Sequence, residues 1–261
     1  MRALHGHIAG SVYSGANLQD CGYRFSFGGL TFYQPGDTVL LATGTVAARD
    51  CMDAPMDAAV VAIIDGGVDY NHEDLKDNIW KNEAEVNGVG GRDDDENGFF
   101  DDIHGYDFVN NTGLIGDRNG HGTHCAGIAA AVGNNGIGIT GANPDALIMP
   151  IAVMQSDGTG DVATIIKGID YATANGADVL SMSFGGYQHS IAEEQALAKA
   201  YAKMVLVAAA GNDFRCIYSH FCPINKSMIN GAVYPAAFTF VLGVEAGDEK
   251  GNLASFSNYD E

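Results

Sequence analysis

Basic residues are scarce in this chain: 13 Lys and Arg stand against 33 Asp and Glu in 261 residues, a formal net charge of −20. That excess opposes binding to nucleic acid or to anionic membranes, whose phosphates need cationic partners, and it suits divalent cations instead. Long apolar runs are also missing. No stretch reaches the roughly 20 apolar residues of a membrane span. Residues 1–20 carry neither the apolar core nor the small-residue cleavage pattern of a secretory signal, so an exported protein would need a signal not seen here. Cysteine is sparse as well. Cys21, Cys51, Cys125, Cys216 and Cys222 are too scattered for a disulfide scaffold, and no pair has metal-ligand spacing with histidines. Only Cys216 and Cys222 are close enough to pair locally. Internal repeats and low-complexity tracts are absent. Apolar content, by contrast, is ample: at 46% it can fill the core of one large α/β domain.

The texture of the chain changes near residue 58. Before it, short β-favouring pieces at 23–27 and 38–41 are broken by Gly and Pro, and residues 1–57 read as an N-terminal appendage or leader remnant. After it, Ala59-Val60-Val61-Ala62-Ile63-Ile64 is the β-branched run of a strand buried on both faces, and it stops at Asp65-Gly66-Gly67. Residues 146–153, 178–183, 204–209 and 238–244 read as further strands. Helical patterns at 161–175 and 191–203 alternate with them. This order predicts a mainly parallel sheet with helices on both faces, whose carboxyl edge gathers ligands and catalytic groups.

The most informative stretch is Asn119-Gly120-His121-Gly122-Thr123-His124-Cys125-Ala126-Gly127, which opens an apolar helix with a histidine between two glycines. Those glycines remove bulk where a substrate backbone would approach. The positive end of the helix disfavours an imidazolium, so a neutral His121 able to act as a general base is expected. His124, one turn along, is expected to face inward as a structural residue.

With Asp65 after a core strand, two other strand ends complete the pattern: Ser181-Met182-Ser183-Phe184-Gly185-Gly186 and Ala208-Ala209-Ala210-Gly211-Asn212. Together and in this order these segments resemble the subtilisin-like serine proteases, over about residues 58–258. The Asp65-Gly66-Gly67-Val68-Asp69 and acidic Asp93 to Gly98 wording is similar to that of bacterial extracellular members. The resemblance implies a three-layer α/β fold over residues 58–261 and an Asp-His-Ser triad. Asp65 would orient His121, His121 would take the proton of a serine nucleophile, and Asn212 would donate to the oxyanion. It also implies a cleft in which Gly158, Thr159 and Gly160 face Ser183, Phe184 and Gly185 across an extended peptide, with Asp213 near the mouth of the pocket for the residue before the cleaved bond. Polypeptide substrates, a monomeric state and an extracellular location follow from the same likeness.

One departure matters. The family's nucleophile lies in a Gly-Thr-Ser-Met-Ala motif, which these 261 residues do not contain. Ser181, Ser183, Ser255 and Ser257 match cleft or strand positions and do not replace it. A peptidase domain incomplete at its C-terminus is therefore expected, with a non-catalytic binding module of the same fold as the alternative. A metal hydrolase built on His121 and His124 is weaker still, since no glutamate lies between them and no third ligand is evident.

Two metal sites are candidates. Asp93, Asp95, Asn97 and Asp101 place oxygen ligands around Gly98, which suits Ca²⁺, but His104 stands where an EF-hand needs its bidentate Glu. The resemblance adds Asp74 and Asn135, with main-chain oxygens of residues 134–139, as a second calcium site.

Overall fold

The computed structural model describes residues 58–213, 232–248 and 251–259, and the backbone of three earlier strands. Those strands, β1 (Gly22–Phe27), β2 (Leu30–Pro35) and β3 (Leu40–Ala42), form an antiparallel sheet in that order. The two β-favouring pieces noted in the sequence fall on β1 and, in part, on β3. The remainder of residues 1–57 lies outside the described residues, as do Cys21, Cys51, Cys216 and Cys222.

The principal sheet has six strands: β4 (Val60–Asp65), β5 (Tyr106–Asp107), β6 (Leu147–Ala152), β7 (Val179–Met182), β8 (Val205–Ala209) and β9 (Leu242–Val244). Their spatial order is β5-β6-β4-β7-β8-β9, and every pairing is parallel. Among the described residues, three helices with two or more turns accompany it: α2 (His121–Ala130), α3 (Val162–Ala174) and α4 (Ile191–Tyr201); α1 (Glu83–Val86) is a single turn.

Strand pleating divides the core in two. Ala62, Ile64, Met149, Ile151, Leu180, Met182 and Leu206 pack with Ile165 and Ile169 of α3 and Leu197 and Ala200 of α4. The alternate residues Val61, Ile63, Ile148, Val179 and Val207 pack with Cys125, Ala126 and Ile128 of α2 on the other face. The expected three layers result. Local signals set the helix starts: Asp161 accepts from Thr164 N (3.0 Å) and Ser190 accepts from Glu193 N (3.3 Å), each capping the helix that follows.

Two expectations need correction. The last strand covers only Leu242–Val244, because Phe238 and Phe240 occupy turns in which their rings stack, 5.6 Å apart, against the core. His124 is exposed rather than inward-facing. Three residues advance a helix by about 300°, so His124 lies about 60° around from His121, on the side away from the buried Cys125, Ala126 and Ala129.

Helix α3 approaches the sheet through Gly168, where a Cβ would stand 2.8 Å from Val153 Cγ1, 2.9 Å from Ile64 Cδ1 and 3.0 Å from Ile151 Cγ2. Gly168→Val is expected to destabilise the protein by about 1–3 kcal/mol through overpacking, read as a lower urea midpoint at unchanged slope.

Candidate active site

The strand order explains why residues far apart in sequence meet. Neighbours β6, β4, β7 and β8 end, at one edge of the sheet, in the 153–160 loop, Asp65, Ser183-Phe184 and Ala210-Gly211-Asn212 respectively. Only His121 must come from a helix.

The contact that brings it in is between backbones. A Cβ on Gly122 would stand 2.0 Å from the Gly67 carbonyl oxygen and 3.1 Å from Asp65 Cβ, so the first turn of α2 presses directly on the turn that ends β4. Gly122 is thus glycine for an internal contact and not, as the sequence suggested, for the approach of a substrate. Gly67 itself has φ +116, open to glycine, and its own missing Cβ makes room for Gly116 O at 2.2 Å. Asn119 Oδ1 accepts from His121 N (3.0 Å), and Asp117 accepts from the backbone N–H groups of Asn119, Gly120 and Thr123. Burial works to raise the Asp117 pKa. The hydrogen bonds from Thr123, Asn119 and Gly120 outweigh it and hold the carboxyl below its ordinary value. Arg118 ties the assembly together from the side: its guanidinium donates to Gly66 O (2.9 Å) and pairs with the buried Asp107 at the end of β5.

Asp65, only 2% exposed, meets His121 Nδ1 through Oδ2 at 2.8 Å and accepts from Gly66 N through Oδ1 at 2.7 Å. The carboxylate acts only as an acceptor, so in the neutral imidazole the proton sits on Nδ1 and Nε2 carries the lone pair. The His121 side chain is 36% exposed, enough for its outer nitrogen to reach a reactant. Its pKa lies above the ordinary imidazole value, first through the bond to Asp65 and then through Cys125, against a lowering by burial. The expected depression by the helix end does not prevail: a helix terminus carries about half a charge, whereas Asp65 offers a full carboxylate in contact. Cys125 lies beneath the pair, its sulfur 3.8 Å from His121 Nδ1, 3.9 Å from Asp65 Oδ2 and 3.5 Å from Ser183 Oγ. Ser183 thus turns its hydroxyl toward the floor of the site.

The expected cleft residues are placed as follows. Gly158 takes φ +80 in a tight excursion closed by Gln155 N donating to Thr159 O (2.7 Å), and Gly160 bridges Met154. Phe184 packs on the core, and Gly185 lies against Val233. Asn212 and Asp213 are exposed beyond β8, and the Tyr187 hydroxyl donates to Asp213.

The acidic loop only partly matches its expected ligand set. Carboxylate oxygens of Glu85, Asp93 and Asp95 lie within 4.8 Å of one another. Asn97 donates to Asp95 (3.0 Å) and Asp102 (3.1 Å), whereas Asp101 turns away to accept from Gly91 N (2.9 Å). Glu85, from α1, was not legible as a member because only folding brings that helix to the loop. Asp102, fully buried, anchors the loop by accepting from Tyr171 of α3 (2.6 Å) and Asn82 (3.1 Å), and burial raises its pKa. The clustered oxygens fit a hard cation. At the other candidate, Asn135 Nδ2 donates to Asp74 Oδ1 (2.7 Å) and Ile139 N to Oδ2 (2.9 Å). The fold thus brings Asp74 and Asn135 side by side, with hydrogen bonds closing the loop of residues 135–139.

With this geometry in place, comparison with known proteins is decisive for the family. Residues 57–261 match the model of the subtilase family. Thermitase of Thermoactinomyces vulgaris is 36% identical over 202 residues, 77% of this chain and 59% of that protein. Subtilisin DY of Bacillus licheniformis is 37% identical over 199 residues, 76% and 60% respectively. Subtilisin-like protease 1 of Plasmodium berghei is 42% identical over 130 residues, 50% of this chain and 22% of that protein. The chain belongs to the subtilase family, and it spans less than two thirds of the length of each of these relatives. Among the described residues, no helix is long and apolar enough to cross a membrane.

The raised His121 pKa has a definite sign. The Asp65 interaction stabilises the fold fully below the free imidazole pKa of about 6.5 and is lost as pH rises through the native value. Asp65→Asn is expected to move the NMR titration of His121 to lower pH. A titration that stays in place or moves upward would contradict the assigned cause.

Proposed function

We propose that the longer protein containing this chain is a serine endopeptidase, and the observation that carries the reading is the buried Asp65 carboxylate 2.8 Å from His121 Nδ1 at the carboxyl edge of the sheet. His121 Nε2 takes the proton of a serine hydroxyl as that oxygen attacks the scissile carbonyl, and Asp65 stabilises the imidazolium formed. His121 then gives the proton to the departing amine. Asn212 donates its side-chain amide to the tetrahedral oxyanion. In the family the serine belongs to a Gly-Thr-Ser-Met-Ala motif, which residues 1–261 do not include, so the activity is proposed for a longer protein that carries it.

Substrates are extended polypeptides lying between residues 158–160 and 183–185. The pocket for the residue before the cleaved bond, bounded by Phe184 and the 209–211 segment, prefers large apolar side chains. Burying one contributes about 1.5–3 kcal/mol, while an exposed ion pair with Asp213 contributes about 0–1 kcal/mol. The hydrogen bond from Tyr187 already engages that carboxylate. The protein acts as a monomer outside the cell, a reading that rests on the family likeness and the acidic surface.

Ca²⁺ is the proposed structural ion. Glu85, Asp93 and Asp95 would hold it, joined by Asn97 at the rim, and its charge would offset the repulsion among these carboxylates. An ion bound only by the native state stabilises by about 2.7 kcal/mol at a hundredfold excess over Kd.

One assay tests the reading as a whole. The longer protein is expected to cleave a peptide library after large apolar residues, to lose that activity in His121→Ala, and to melt at lower temperature when calcium is chelated. No cleavage would contradict the protease reading; a melting temperature unmoved by chelator would contradict the calcium site.

A further inference from the structure

We infer that Asn258 is a positioning residue for the oxyanion donor Asn212, an inference that rests on the protease reading above. Asn258 is fully buried, 0% exposed, and meets the segment that carries Asn212 with three of its groups. Its side-chain Nδ2 donates to Ala210 O (2.8 Å), its backbone N donates to Gly211 O (2.8 Å), and its Oδ1 accepts from Asp213 N (3.0 Å). The residues on both sides of Asn212 are therefore fastened to one residue about 45 positions later in the sequence. The amide orientation follows from the partners, since only a donor can face the Ala210 carbonyl and only an acceptor the Asp213 N–H.

The surroundings support the same role. Gly211 has φ +99, and a Cβ there would stand 2.5 Å from Asn258 Nδ2, so the sharp bend after β8 and the Asn258 amide fit only each other. Asn258 is itself held: Ser257 Oγ donates to the Asn258 carbonyl and accepts from Ala246 N, both at 2.8 Å. Ala210 N donates to Val244 O of β9 (2.9 Å), which ties the start of the segment to the sheet. An oxyanion donor is effective when its direction is fixed before charge develops, because no reorganisation is then spent in the transition state. Asn212 lies on an exposed loop, and Asn258 supplies the rigidity that a loop lacks.

Such a residue acts on kcat through Asn212 and leaves substrate binding in place. Removing an oxyanion donor outright costs about 10²–10³ in kcat, a magnitude measured in subtilisin, itself a member of this family. Loss of its positioning should cost less, about tenfold or more. Asn258→Asp is nearly isosteric and keeps the acceptor for Asp213 N, but it sets a carboxylate oxygen against Ala210 O. Asn258→Ser removes both side-chain contacts and serves if the Asp variant folds poorly. Rates are measured in the longer protein, per active site titrated with an irreversible serine-directed inhibitor, so unfolded molecules do not count.

The expected result is a fall in kcat of about tenfold or more with KM changed by less than about threefold. In the Asn212→Ala background, the same substitution should cost less than about twofold, because the group it positions is gone. A residue that merely supports the fold would give the full loss in both backgrounds. That additivity, an effect confined to KM, or unchanged kinetics in an active parent would overturn the inference alone. A parent that cleaves no peptide would overturn the protease reading and this inference with it.

Discussion

The close approach of two backbones, Gly122 in the first turn of α2 and Gly67 in the turn after β4, is the constraint on which the site depends. Any side chain at 122 would collide with the Gly67 carbonyl, and the helix could not seat with His121 beside Asp65. Around this contact the polar groups are arranged redundantly. Asn119 and Asp117 fix the start of the helix, Arg118 holds the Gly66 carbonyl to the end of β5, and Asp65 bonds both its own turn and the imidazole. Burial of Asp65 then gives the pair its electrostatic character, since a carboxylate removed from water interacts strongly with the imidazole in contact with it.

The parallel sheet does the rest of the gathering. Because β6, β4, β7 and β8 run in one direction and lie side by side, their carboxyl ends deliver the 153–160 loop, the Asp65 carboxylate, Ser183-Phe184 and Ala210-Gly211-Asn212 to a single edge. The apolar strand interiors are indifferent to this chemistry; they only need to be buried on two faces, and α2 on one side with α3 and α4 on the other satisfies them. The polar groups of the candidate site thus sit where the strands stop.

What could be read from sequence follows from this division. The strand cores at β4, β6, β7 and β8 were legible because double-sided burial demands continuous apolar runs, and α3 and α4 because helical patterning is local. The positions of Asp65 and Asn212 at strand ends and of His121 at a helix start were legible because each sits in a short motif with a conformational reason. The end of the sheet was not, since Phe238 and Phe240 satisfy the same composition in a turn as in a strand. Nor was the sign of the His121 shift, which a carboxylate 56 positions earlier decides over the nearby helix end. Glu85, Arg118 and Asn258 carry no local signature at all: each matters through a partner that only the fold supplies.

The acidic loop shows the same limit from the other direction. Its composition pointed to a cation site, but the fold exchanges Asp101 for Glu85 and ties the loop to α3 through Asp102 and Tyr171. For the site as a whole, the most direct measurement is labelling of the longer protein with a fluorophosphonate, followed by identification of the modified residue. One serine outside residues 1–261 should be labelled, and His121→Ala should abolish the reaction, as required if Asp65 and His121 activate a nucleophile on a neighbouring segment. Labelling at Ser181, Ser183, Ser255 or Ser257, or labelling that survives the loss of His121, would contradict it.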